Sequence, residues 1–424
     1  MKVSISSSSV SGRTKIPPSK SYTHRGILVG ALSDGMEVLD PLKSADTRAS
    51  MECAESLGAE VDDFGERLEI EGTRGEPEVP EDVMGCGNSG TTLRLFTGAS
   101  ALCEGTAVLT GDESLRQRPN GPLLSSLEEL GARARSTNGD GTAPLVVEGP
   151  IDGGETTIDG TVSSQFISSL LFTLPLTEEG GEITVEDELK SRPYVDITLD
   201  VMEKAGVSYE ETENGFSVEG DQSYDADRFQ VPGDFSSASY PLALGALHDG
   251  IVAENLFPSA QGDSVILDLL ERMGTDVEWD RDSGVAEIES GELTGIRFDA
   301  ADNPDLAPTV AVLGAAGSGE TEIVNAEHLR YKETDRLEAV ATELSKMGAD
   351  VEEGQDYLKV DGDSSSLEGA EVDGRDDHRI VMALAVAASV ADGETVIETA
   401  ESVNISYPGF FRKMSSLGLD VKEI

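Results

Sequence analysis

Cysteine, histidine and tryptophan are scarce, at three, four and one in 424 residues. Cys53, Cys86 and Cys103 cannot make an even disulfide framework and lack the spacing of metal ligands. His24, His248, His328 and His378 are scattered, which argues against a zinc site. Long hydrophobic runs are missing too. The longest, Val381 to Ala391 with one serine inside it, falls far short of the roughly 18 residues a membrane span needs. The opening MKVSISSSSVSGRTKIPPSK has no apolar stretch of the secretory-signal kind. Positive charge is short as well: 31 Lys or Arg stand against 82 Asp or Glu, a formal charge of −51. A polyanion of this kind is repelled by nucleic acid. These absences predict a cytoplasmic protein with no metal, no membrane and no nucleic-acid partner.

What is present argues for a folded chain. Apolar residues make up 38% and recur in periodic blocks, although a net charge of about 0.12 per residue approaches the disordered range. Length predicts two domains, because single cores stop growing near roughly 250–300 residues. A dense acidic coat suits a solvent so salty that the Debye length shrinks to about 3 Å, and so points to a halophile.

Six segments read alike: MECAESLGAEV, LLSSLEELGARA, LDVMEKAGVSY, ILDLLERMGTDV, VATELSKMGADV and FRKMSSLGLDV. Each predicts an amphipathic helix stopped by a glycine in the left-handed conformation, then a short strand. The glycines are Gly58, Gly131, Gly206, Gly274, Gly348 and Gly418, so the period is about 71 residues and six repeats fill the chain. A second helix keeps the same rhythm, beginning at KSYTHR, NSGTTLR, SSQFISS, FSSASYP, NPDLAPT and DHRIVMA, and is apolar on nearly every side. The predicted unit is strand, buried helix, strand, exposed helix and hairpin, a layered α/β architecture.

Polar residues gather where the buried helices start: Lys20, Ser21 and Arg25; Asn88, Ser89 and Gly90; Ser163, Ser164 and Gln165; Asp302, Asn303 and Asp305; Asp377, His378 and Arg379. Helix starts favour anions, because their N–H groups are unpaired and carry about half a positive charge. Ser, Asn and Asp also serve as ordinary helix caps. Capping does not account for Lys20, Arg25, Arg94, Arg118, Arg192, Lys332, Arg336 and Arg379 lying in or beside these blocks in a chain with so few cations.

The blocks PSKSYTHR, GNSGTTLR, VSSQF, SRPYVDIT, RYKETDRL and DDHRIVMAL follow one another in an order that resembles the 5-enolpyruvylshikimate-3-phosphate synthase family over essentially the whole length. The resemblance implies two domains of three βαβαββ repeats, each an inside-out α/β barrel. One would be discontinuous, 1–14 plus 232–424, and the other, 15–231, inserted, with the active site in the cleft between them. It also implies a reaction: the enolpyruvyl group of phosphoenolpyruvate passes to the 5-hydroxyl of shikimate 3-phosphate and phosphate is released. No cofactor is implied, and the expected partners are these two small molecules, acting on a monomer.

Carried over by motif, Lys20, Asn88, Gly90, Arg118 and Gln165 resemble the phosphoenolpyruvate phosphate and proton-transfer set. Arg336 and Arg379 are similar to the clamp on its carboxylate, where planar geometry favours arginine. Ser21, Arg25, Ser163, Ser164, Gln165, Ser191, Asp305 and Lys332 resemble the shikimate 3-phosphate contacts, with Tyr194 beside the ring. Asp305 matches the aspartate that would accept the hydroxyl proton, while Glu333 and Lys20 compete as the acid for the methylene carbon.

Two positions depart from the family pattern: Ile405 where some members have a lysine, and Leu95 where many have proline. The rival readings are a UDP-N-acetylglucosamine enolpyruvyl transferase and a non-catalytic acidic repeat protein. The first usually carries a reactive cysteine where this chain has GDESLRQRPNGPL, and the second gives no reason for the placed cations.

Overall fold

Twelve α-helices of two kinds alternate along the computed structural model, which describes residues 1–424. The odd-numbered ones are α1 (Lys20–Leu32), α3 (Gly90–Ser100), α5 (Ser164–Thr173), α7 (Phe235–Leu247), α9 (Ala307–Ala316) and α11 (His378–Val390). They are buried almost all round, as their unbroken apolar composition requires. The even-numbered ones are α2 (Ala45–Ser56), α4 (Gly121–Glu129), α6 (Arg192–Lys204), α8 (Ile266–Met273), α10 (Arg336–Lys346) and α12 (Phe410–Ser416). These bury one face only; in α8 it is Ile266, Leu267, Leu269, Leu270 and Met273. All six stop glycines have positive φ, from 79° at Gly206 to 114° at Gly418, so the predicted left-handed stop is present in every repeat.

The 24 strands form six four-stranded sheets with one common order. In the third repeat Gly154–Asp159 runs parallel to Gly181–Glu186, which pairs antiparallel with Gly215–Val218, which pairs antiparallel with Glu210–Thr212. A parallel pair needs a crossover, and the buried helix supplies it. Burial alternates along most of the inner strands, so each sheet turns one face inward onto buried helices. No helix is long and apolar enough to cross a membrane.

The chain divides into two units, Met1–Pro17 with Pro232–Ile424, and Pro18–Val231. Residues 15–17 continue the strand Gly12–Lys15 and fall in the discontinuous unit, which extends it three residues past position 14. Each unit holds three sheets around three buried helices, the inside-out α/β arrangement. In the discontinuous unit α7, α9 and α11 pack together through Leu242, Val310, Leu313, Met382 and Val386.

Three sheets are not built from consecutive residues. Val3–Ser6 completes the sixth repeat between Glu394–Glu398 and Asp420–Glu423. Gly12–Lys15 precedes α1 in sequence yet pairs in parallel with Ile251–Glu254 after α7. Arg228–Gln230 precedes α7 yet pairs with Gly35–Leu39 after α1. The first strands of two repeats are thus exchanged where the chain passes from one unit to the other. Backbone bonds from Val231 N to Leu39 O (3.0 Å) and from Asp234 N to Pro17 O (2.9 Å) fix each unit's side of one crossing.

Candidate active site

In the continuous unit the polar cluster gathers on the starts of α1, α3 and α5. Ser89 caps α3 by accepting from Thr92 N at 3.0 Å, which leaves its neighbours Asn88 and Gly90 for other contacts. A Cβ on Gly90 would stand 3.3 Å from Arg118 Nη1 and 3.4 Å from Arg94 Nη1, so two guanidiniums crowd a bare helix start. Arg118 Nη2 donates to Asn88 Oδ1 at 2.8 Å, and Asn88 Nδ2 donates to Asp112 Oδ2 at 2.7 Å. Arg94 reaches Gln165 Oε1 (2.8 Å), Ser163 Oγ (3.4 Å) and Asn120 Oδ1 (3.3 Å), and lies 5.2 Å over the Phe166 ring. Gln165 in turn donates to Thr91 Oγ1 at 2.8 Å. Ser163 accepts from Gln165 N as the cap of α5.

Lys20, on the first turn of α1, pairs with buried Asp46 at 3.0 Å. Asp46 belongs to the first turn of α2, and its carbonyl accepts from Thr92 Oγ1 at 3.3 Å, which ties Lys20 to the α3 start. Arg25 is fully buried. It donates to Thr198 Oγ1 (2.9 Å), Ser21 O (2.9 Å), Tyr194 O (2.8 Å) and Ser168 Oγ (3.4 Å), all uncharged acceptors. Burial pulls its pKa down to about 10, with Tyr22 and Tyr194 acting the other way. Ser164 is buried at the first turn of α5, and Ser191 precedes α6 in a left-handed conformation at φ 57°. One cation goes elsewhere. Arg192 pairs with Asp196 (2.7 Å) and Glu211 (2.6 Å) and lies over Phe216, so it serves the third sheet of this unit and not the cluster.

In the discontinuous unit the cluster is made of carboxylates around two arginines. Arg336, 2% exposed, donates to Asp377 Oδ2 (2.7 Å), Asp305 Oδ1 (2.8 Å) and Glu333 Oε2 (2.7 Å). Burial opposes its charge, but the three carboxylates outweigh burial and raise its pKa. Arg379 Nη2 donates to Asp305 Oδ2 at 2.9 Å, so Asp305 bridges both guanidiniums. Asp377 caps α11 through Arg379 N at 2.8 Å; burial raises its pKa against the pull of Arg336. Buried Tyr240 of α7 is pushed up to about 12, chiefly by burial. His378 is buried with Nδ1 3.8 Å from Asp377 Oδ1. Lys332 is half-buried at the end of the turn Glu327–Tyr331.

Sequence reasoning missed the partners: Asp46 for Lys20, Thr91 for Gln165, Asn120 for Arg94 and Asp112 for Asn88. It also missed Asp263, which accepts from Asn303 Nδ2 at 3.1 Å and from Ser236 Oγ. The SADTR segment signals Asp46 weakly, since Ser44 and Thr47 form a reciprocal cap that fixes the first turn of α2.

Comparison with known proteins agrees with this picture. The family model described as EPSP synthase (3-phosphoshikimate 1-carboxyvinyltransferase) matches residues 5–414. A 3-phosphoshikimate 1-carboxyvinyltransferase of Halobacterium salinarum is 54% identical over 427 residues, covering 99% of both chains. One from Methanocella arvoryzae is 52% identical over 419 residues, again covering 99% of both. The solved EPSP synthase of Acinetobacter baumannii superposes with a TM-score of 0.84 at 26% identity, covering 99% of both chains. The enolpyruvyl transferase NikO of Streptomyces tendae shares the fold at a TM-score of 0.79, with 18% identity over 99% of this chain and 98% of that one. A chain matched over nearly all its length, with a bare helix start between two arginines in one unit and a carboxylate-braced arginine pair in the other, belongs to the EPSP synthase family.

Proposed function

We propose that the chain transfers the 1-carboxyvinyl group of phosphoenolpyruvate to the 5-hydroxyl of shikimate 3-phosphate and releases phosphate, working as a cytoplasmic monomer with no metal or cofactor. The observation that carries the reading is Gly90 between Arg94 and Arg118, a helix start shaped for a phosphate. Family membership supplies the reaction class.

The product keeps a carbon–carbon double bond, so the chemistry divides into addition and elimination. In the addition the hydroxyl oxygen bonds to C2 of phosphoenolpyruvate, its proton goes to a base, and C3 gains a proton from an acid. In the elimination C3 loses a proton, the C2–O bond to phosphate breaks, and phosphate leaves with a proton. Asp305 takes the role of base, with both oxygens oriented by Arg336 and Arg379. Glu333 takes the role of acid, held by Arg336, with Lys20 beside the phosphate. Asn88, Gly90, Arg118 and Gln165 hold the phosphate. Ser21, Arg25, Ser163, Ser164, Ser191 and Lys332 hold shikimate 3-phosphate. Arg336 and Arg379 also face the carboxylate of phosphoenolpyruvate, for which Asp305, Glu333 and Asp377 pre-set their planes.

Purified protein given both substrates is expected to release phosphate in a coupled assay; none released at any salt concentration would refute the reading. Glu333→Gln is expected to bind both substrates and lose about 10²-fold or more in kcat. An unchanged kcat removes Glu333 from proton transfer.

A further inference from the structure

We propose that Asp263 is a positioning residue for Asp305: it anchors the turn that carries Asp305 and, by its negative charge, keeps Asp305 basic enough to accept the hydroxyl proton. The inference rests on the reading of Asp305 as the base. Asp263 lies on the short turn Gly262–Val265 just before α8 and is buried, at 4% exposed. One oxygen accepts from Ser236 Oγ at the start of α7, the other from Asn303 Nδ2 at 3.1 Å. Asn303 stands at the cap position of the turn Pro304–Leu306 but makes no side-chain cap, and its side chain goes to Asp263 instead. Pro304 and Asp305 follow directly, so the Asn303 bond ties the turn Pro304–Leu306 to the turn that carries Asp263, and through Ser236 to α7.

The electrostatic half of the argument comes from what surrounds Asp305. Two guanidiniums, Arg336 and Arg379, donate to its two oxygens, and both favour the ionised, weakly basic form. A base so placed needs a compensating negative charge. Glu333 and Asp377 are engaged on Arg336. Burial and then the Asp305 charge push the Asp263 carboxyl up to about 6, while Ser236, Arg379 and Asn303 act in the other direction. The groups around the pair are therefore Ser236 and Tyr240 from α7, Asn303 from the Asp305 turn, Arg336 from α10, Glu333 before it, and Asp377, His378 and Arg379 from α11. Near neutral pH Asp263 is ionised and raises the affinity of Asp305 for a proton; below about 6 that support fades.

The test is the pH profile of kcat with both substrates saturating, for the wild type, Asp263→Asn and Asp305→Asn. Asp263→Asn keeps the shape and removes the charge. Its plateau kcat is expected to fall about tenfold, because Asp305 becomes a weaker base, and its acid limb to move to lower pH, because the loss that wild type suffers when Asp263 takes up a proton near pH 6 is already complete. An acid limb that stays in place overturns the proposal even if kcat falls, since a purely structural role lowers the rate without moving the limb. If Asp263→Asn does not fold, Ser236→Ala serves: it strips one donor from the carboxylate, so Asp263 takes up its proton at higher pH, and the acid limb is expected to move up with it. An unmoved limb there is equally decisive. Asp305→Asn separates the two readings: wild-type turnover in that variant removes the base assignment itself, whereas a loss of about 10²-fold or more leaves Asp263 to be judged on its own data.

Discussion

Gly90 and His24 show how much one residue decides in the continuous unit. At Gly90 the missing Cβ leaves 3.3–3.4 Å to the tips of Arg118 and Arg94, tighter than ordinary contact but against flexible side-chain ends. Gly90→Ala is therefore expected to fold normally and to push both guanidiniums aside. The Michaelis constant for phosphoenolpyruvate should rise about tenfold, and that for shikimate 3-phosphate less than threefold, on the scale of one weakened charged contact. Equal changes in both constants would place Gly90 away from the phosphate. His24 is buried, with Nδ1 2.7 Å from Ser50 Oγ, which in turn lies 2.8 Å from Thr92 Oγ1 beside the α3 cap. Burial, with Lys20 and Arg25 adding repulsion, holds its pKa well below the ordinary value. The folded protein thus keeps His24 neutral where the unfolded chain takes up a proton, below about pH 6.5. Stability contributed by this site is whole above that pH and declines as pH falls through it. Urea unfolding at pH 7.5 and 5.5 should show wild type losing more than His24→Gln; an equal loss in both proteins would contradict the assignment.

At the scale of elements, two positive-φ glycines, one a helix stop and one in a turn between strands, separate strain from collision. Gly274 has φ 110° and a Cβ there would meet Glu292 O at 2.8 Å, a backbone atom that cannot swing away. Gly65, in the turn after Glu60–Asp63, has φ 91° with nothing within 4 Å. Gly65→Ala is expected to cost about 1 kcal/mol from strain alone, and Gly274→Ala about 2–3 kcal/mol, strain plus clash. Similar losses by chemical denaturation would mean that α8 and its following strand shift freely. The six helix–glycine units were legible in the sequence because a period of 3.6 and a positive-φ stop are local properties. The strand exchange was legible only through the family resemblance, which joined 1–14 to 232–424, and not through any local pattern. Nothing within Gly12–Lys15 says that it pairs with Ile251–Glu254, some 239 residues on, and Val3–Ser6 gives no sign that it closes the last repeat. The candidate site divides in the same way. Its cations stand in motifs, so Lys20, Arg118 and Arg336 could be named from the chain, but Asp46, the carboxylate on Lys20, and Asp263, the acceptor for Asn303, come from other elements brought in by tertiary packing. Arg192 misled for the converse reason: it stands within a motif, and its side chain turns to Glu211 of a neighbouring strand.

The whole molecule carries −51 charges, yet its substrates are anions and its site holds scarce cations. Most acids lie on exposed strands and turns, as in Glu60, Asp62 and Asp63, or Glu352 and Glu353, where they repel one another across short distances. A few, such as Asp46, Asp263, Glu343 and Asp377, are buried and bonded to specific partners. Salt acts differently on the two sets. Exposed charges are screened once the Debye length falls from about 10 Å at 0.1 M to about 3 Å at 1 M, whereas buried pairs are hardly touched. Stability is therefore expected to climb steeply with KCl up to roughly 1 M and then flatten, as self-repulsion is removed without loosening the site. Repulsion between the protein and its substrates fades over the same range, so kcat/KM for phosphoenolpyruvate should rise with it. Thermal unfolding from 0.05 to 3 M KCl, with turnover measured in parallel, checks both. Full stability in dilute buffer would show that the acidic coat is tolerated without screening. A gain that continues in proportion to concentration past 1 M would assign the effect to exclusion of salt from the surface and not to charge.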